Sequence, residues 1–110
     1  MSSLGLFVPE KTEQKGNLHV DGDVRIEGHF IGNLYCEHTL TIGKNALFEG
    51  DAECSQAHIM GDFSGNIQVH GECTLYKTAS FQGLLDTRLA KIEKGCQLRG
   101  EVLITGNTSL

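Results

Sequence analysis

A glycine that returns every 15 to 18 residues behind the same apolar phrase constrains this chain more than any other feature. Gly32, Gly50, Gly65, Gly83 and Gly100 follow one another at intervals of 18, 15, 18 and 17 residues. Two residues before each stand Phe30, Phe48, Phe63, Phe81 and Leu98, and four before it Gly28, Ala46, Gly61, Ala79 and Cys96. Two residues after come Leu34, Ala52, Ile67, Leu85 and Val102, and four after Cys36, Cys54, Val69, Thr87 and Ile104. The positions between are mostly polar. Period-two alternation means strands with one buried face, and a unit this short cannot cover that face alone, so the copies must stack on one another.

A second column opens each copy at Ile26, Ile42, Ile59, Leu75 and Ile92, preceded at two residues by Val24, Leu40, Ala57, Cys73 and Ala90. The copies differ in one turn, short in "IEGHF" and "IMGDF" and two residues longer in "IGKNALF", "LYKTASF" and "IEKGCQL". The added residues lie around Lys44, Lys77 and Lys94, where a corner bulges outward without disturbing the inward columns. Fourteen glycines, one proline and no tryptophan also favour short strands broken by turns. Helical solenoids need longer units, and the leucine and asparagine ladder of a leucine-rich repeat is missing. The expected fold is all-β: a parallel β-helix of about six short coils, three strands per coil, with equivalent residues about 4.8 Å apart. Phe30, Phe48, Phe63, Phe81 and Leu98 form its core ladder, and the five glycines occupy corners that need a positive φ or no Cβ.

The net charge of -5 argues against nucleic acid as a partner, because phosphate contacts need clustered Lys and Arg. No apolar run is long enough to span a membrane, and "MSSLGLFVPEK" lacks a basic leader, so the chain reads as cytoplasmic. Cys36, Cys54, Cys73 and Cys96 include no C-x2-C pair and read as small buried hydrophobes in a reducing compartment, with no metal. His19, His29, His38, His58 and His70 fall at outward positions without a convergent carboxylate and nucleophile. No glycine cluster leads into the Lys and Ser/Thr of a phosphate loop. The expectation is therefore no enzyme, no cofactor and no nucleotide.

At this point "VRIEGHFIGNL", "LTIGKNALFEGDAE", "AHIMGDFSGNIQV", "CTLYKTASFQGLL" and "AKIEKGCQLRGEV" resemble the bactofilins, copy by copy, over residues 17 to 106. The resemblance implies a right-handed winding and filaments that assemble end to end without nucleotide. It also implies a place beneath the inner membrane, where such filaments scaffold cell-shape or envelope proteins. Hexapeptide acyltransferases also use a β-helix, left-handed, but their strict six-residue repeat is absent. The alternative function is a β-helix that does not polymerise and binds one protein partner through a ladder on one face.

The chain divides into a flexible N-terminal tail, residues 1–16, a β-helix domain, residues 17–106, and the remnant "NTSL", residues 107–110. A β-helix leaves unpaired backbone groups only at its ends. Polymerisation through a second copy is accordingly assigned to Leu18, Val20, Val24 and Ile26 at one end and to Leu98, Val102 and Ile104 at the other. In the tail, Leu4, Leu6, Phe7 and Val8 read either as a membrane-docking segment or as a strap along the solenoid side.

Overall fold

The computed structural model describes residues 4–104, whose regular elements are all strands. They are β1 (Leu4–Val8), β2 (Glu13–Val20), β3 (Asp23–Ile26), β4 (His29–Cys36), β5 (Thr39–Ile42), β6 (Leu47–Cys54), β7 (Gln56–Ile59), β8 (Asp62–Leu75), β9 (Ser80–Ile92) and β10 (Gln97–Ile104). Every pairing is parallel, and the chain winds into a β-solenoid of about six turns. The first face of each coil is a four- or five-residue strand running β1, β3, β5, β7 and then into β8 and β9. The other two faces come from one eight-residue stretch that bends at its glycine.

That bend explains the returning glycine. Gly16, Gly32, Gly50, Gly65, Gly83 and Gly100 stand in register from coil to coil, with φ between +124° and +134°. L-residues avoid this region because Cβ crowds the carbonyl. At Gly50 there is a second reason: a Cβ would drive into the carbonyl oxygen of Gly32 one coil below.

Inward residues form unbroken columns. The rings of Phe30, Phe48, Phe63 and Phe81 stack with centroids 5.0, 4.7 and 5.1 Å apart and planes within 10° of parallel. Their spacing is the strand spacing, so the backbone ladder fixes the ring stack, and each such pair contributes about 0.5–1.5 kcal/mol beyond its buried area. The column continues to Leu98 above and to Gln14 below. Among the described residues Thr87 is the one buried polar side chain, and its hydroxyl donates to Leu89 O at 2.8 Å, with Gly71 O at 3.2 Å. The hydrogen bond offsets the cost of burying the hydroxyl.

Corners between the first and second faces alternate in size over coils one to five, and coil six repeats the long form of coil five. Short corners at Glu27-Gly28 and Met60-Gly61 nest against the long ones of the preceding coil, where a Cβ on Gly28 would meet Thr12 O and one on Gly61 would meet Ala46 O.

The N-terminal segment differs from expectation. Residues 4–16 are not a tail: β1 pairs with β3 through Leu6↔Val24 and Val8↔Ile26, and β2 begins at Glu13 and pairs with β4. Leu6 and Val8 take the first-face columns, Leu18 and Val20 the third-face columns, and Gly16 the bend. A complete sixth copy thus lies below the five that share a large apolar residue, with Gln14 where they have Phe or Leu. Residues 107–110 lie outside the described part.

Candidate assembly interface

A solenoid buries its strand edges along its length and leaves them free at its two ends. Coil one, residues 4–20, and coil six, residues 89–104, are therefore the places where a further strand ladder can add. In coil six Ile92 is 48 % and Ile104 51 % exposed, while Leu98 and Val102 are half-buried against the core. Among the described residues these side chains have neighbours on one side only, which leaves an apolar step above them. Coil one is more closed: Val8 is 2 % and Val20 8 % exposed, with Leu6, Leu18 and Gln14 half-buried. Gln14 Nε2 donates to Lys15 O at 3.4 Å, so a polar amide closes the phenylalanine column at this end.

Of the residues assigned to polymerisation, Leu18, Val20, Leu98, Val102 and Ile104 lie on the terminal coils. Val24 and Ile26 do not. Both are fully buried in coil two, covered by Leu6 and Val8, because β1 supplies the coil that the sequence reading placed in a tail. Ile92 belongs with the terminal set and was missed, although its place at the head of the last copy was visible. Of the docking residues, Val8 is part of the core, Leu6 packs against it and Phe7 points outward at 47 % exposure. The side chain of Leu4 lies outside the described residues.

The cysteines sit in the inward columns. Burial pushes the Cys36 and Cys54 thiols up, and pushes Cys73 up to about 12 with a smaller contribution from Glu72. A high pKa keeps these sulfurs as neutral thiols, poor as nucleophiles or metal ligands at neutral pH. Cys36 Sγ donates to Gly22 O at 3.2 Å. The histidines mostly face carboxylates on neighbouring coils: His19 Nε2 lies 3.2 Å from Glu37, His29 Nε2 3.2 Å from Glu49 and His70 Nε2 2.7 Å from Glu53. His58 Nδ1 meets Tyr76 Oη at 3.1 Å. His19, Asp21 and Glu37 bring ligand-type atoms within 4.8 Å of one another, all exposed to solvent, which ordinary surface ion pairing explains.

The third face carries a shallow groove of about 570 Å³, lined by outward residues that include Tyr35, Asp51, Glu53 and Asp86. Sequence reasoning treated these positions as filler between the columns. Their common signal was the residue one or three places after each glycine.

The family model for bactofilin, described as polymer-forming cytoskeletal, matches residues 6–103. The chain belongs to the bactofilin family. The match takes in β1 from Leu6 onward and nearly all of β10, so the first and last coils both fall within the bactofilin domain. The fold also matches the bactofilin of Thermus thermophilus, solved by cryo-electron microscopy as double helical filaments, with a TM-score of 0.68 and 23 % identity over 94 % of this chain and 93 % of that one. No curated protein matched the sequence. The bactofilins are a structural, cytoskeletal family.

Proposed function

We propose that this bactofilin is a scaffold protein that stacks end to end into filaments without a nucleotide, each junction continuing the strand ladder from one molecule to the next. The observation that carries this reading is the open apolar step of coil six, where Ile92 and Ile104 stand half-exposed above a core whose equivalent residues lower down are buried. Addition of a second coil there satisfies edge backbone groups and covers those side chains in one step. The double helical filaments of the Thermus thermophilus relative support self-association as the use of this fold.

The experiment is negative-stain electron microscopy of the purified protein and of an Ile92→Glu/Ile104→Glu variant, with and without nucleotide. The expected result is filaments from the parent in either condition and none from the variant, with circular dichroism showing unchanged strand content. Filaments from the variant would refute the assignment of the junction to this end. Uniform small particles from the parent would favour a binding module that does not polymerise.

Association with the inner membrane and with envelope or cell-wall proteins belongs to the same proposal and rests on the family. With Val8 committed to the core, a lipid contact at this edge falls to Phe7 and the residues before it. One such side chain contributes about 1.5–3 kcal/mol if fully buried, weak for a monomer and strong when repeated along a filament. Loss of liposome co-sedimentation in a Phe7→Ser variant is the expected outcome; equal sedimentation would remove this segment from the membrane contact.

A further inference from the structure

The third face and the corner opposite it carry opposite charges on the same coils. In a three-sided coil, the corner between the first and second faces lies across the molecule from the third face. That corner bears Lys11, Lys44, Lys77 and Lys94, on coils one, three, five and six. The outward positions of the third face, from Asn17 and His19 to Glu101 and Leu103, include no Lys or Arg. They hold Asp51 and Glu53 on coil three, Asp86 on coil five and Glu101 on coil six. Coils two and four have neither, with short corners on one side and Asn33, Tyr35, Asn66 and Gln68 on the other.

Apart from Glu53, both sets are uncommitted. Among the described residues none of the four lysines forms an ion pair, and neither do Asp51, Asp86 or Glu101. Glu53 holds His70. The carboxylates near the lysine corner are engaged locally: Glu27 pairs with Arg25, Glu93 Oε1 accepts the Lys77 N–H at 3.0 Å, and Glu10 Oε2 accepts from Asn45 Nδ2 at 3.3 Å.

We propose that the lysine corner of one molecule docks against the third face of a second copy lying parallel and unshifted beside it. Coils rise by about 4.8 Å each, so charges on coils three, five and six have the same axial spacing on both surfaces. An unshifted neighbour therefore sets Lys44 against Asp51 and Glu53, Lys77 against Asp86, and Lys94 against Glu101, all at once. A shift of one coil keeps one of these coil matches, and a reversed neighbour keeps two at most. The groove along the third face receives the bulged corners. Because the two surfaces differ, the contact does not close on a pair and propagates sideways as a sheet. Exposed ion pairs are individually weak and are screened within about 10 Å at 0.1 M salt, so the contact gains its strength by repetition along a filament. It rests on the end-on reading for that multiplication alone.

The test is electron microscopy of filaments in about 20 mM and about 500 mM sodium chloride, the second shortening the screening length several-fold. It compares the parent, Lys44→Glu/Lys77→Glu, Asp51→Lys/Asp86→Lys, and the chain carrying all four changes. The expected result is sheets from the parent at low salt that disperse into single filaments at high salt, single filaments from each two-site variant, and sheets again from the four-site variant. Sheets that persist in a two-site variant overturn the proposal, as does failure of the four-site variant to restore them while its strand content by circular dichroism is unchanged. A parent that gives only single filaments at low salt overturns it and leaves end-on assembly intact. Absence of filaments throughout counts against end-on assembly instead, and low-salt sedimentation of the same four proteins then reads the side contact, with loss and recovery of oligomers expected in the same pattern. Single filaments that gather a lysine-rich peptide on the third face, or anionic phospholipid vesicles on the lysine corner, would give these surfaces another occupant and overturn it.

Discussion

The first and last coils are built from the same columns and present different surfaces. Val8 and Ile92 share one column and Val20 and Ile104 another, yet the first member of each pair is buried and the second half-exposed. The phenylalanine column ends in an amide below, at Gln14, and in an aliphatic side chain above, at Leu98. A periodic interior fixes the coil shape but not how the series stops. The chemistry of each end is set by single residues that the repeat does not constrain.

The comparison is easiest to break with one charge placed at both ends. Val8→Glu should lower stability by about 3 kcal/mol or more, since it puts an unpaired carboxylate into the core, while Ile92→Glu should leave stability within about 1 kcal/mol and act on assembly. Urea unfolding of the two variants measures the first difference and electron microscopy the second. Equal destabilisation would mean that the two ends are alike. The bend glycines give a second contrast. Gly50→Ala meets both the positive φ and the Gly32 carbonyl, whereas nothing lies within 4 Å of a Cβ at Gly16. Gly16→Ala should cost about 1–2 kcal/mol from the backbone alone and Gly50→Ala clearly more, as read by thermal unfolding.

The interior sulfurs make stability depend on pH. With Cys36, Cys54 and Cys73 raised in the folded state, both states are protonated below the ordinary thiol value near 9.0, so stability is flat there. Above it the unfolded chain releases protons that the folded chain keeps, and stability falls by up to about 1.4 kcal/mol per pH unit for each such thiol. Denaturation midpoints between pH 8 and pH 10 should show that fall, and it should shrink in a Cys54→Ala/Cys73→Ala variant. The smallest effect sharpens the end contrast directly. Gln14→Leu should stabilise by about 1 kcal/mol or less by capping the ring stack with apolar surface, and Leu98→Gln should weaken assembly by making the upper end resemble the lower.

The inward columns were legible because alternation and the returning glycine fix each residue's side without reference to distant partners. Phe30 through Phe81 could be placed in this way. The first coil was not, because Gln14 stands where the other copies have Phe or Leu and "PEKT" reads as polar linker, although Gly16, Leu18 and Val20 keep the offsets of the repeat. Missing that coil moved the supposed end inward by one turn, to Val24 and Ile26. The charged corner and groove stayed hidden for another reason. Outward residues obey no hydrophobic pattern, and their alignment across coils emerges only once long and short corners are counted into the register. Handedness came with the resemblance, since side-chain alternation is the same for either winding.

Over coils one to five the alternation of long and short corners makes the repeating module two coils rather than one. Gly32 and Gly65 are 33 residues apart, as are Gly50 and Gly83, and the segment from Ile26 to Cys54 mirrors that from Ile59 to Thr87 in both corner types. A rod made this way can be lengthened by splicing one 33-residue module into coils one to five at the bend glycines, adding about 10 Å while each long corner there still nests on a short one. Two long corners meet once, at Lys77 and Lys94 on coils five and six; splicing a single coil in below them would add a second such contact or set two short corners against each other. Up to coil five the molecule is thus a ruler graduated in pairs of coils, and that part can change length in steps of two without altering either end.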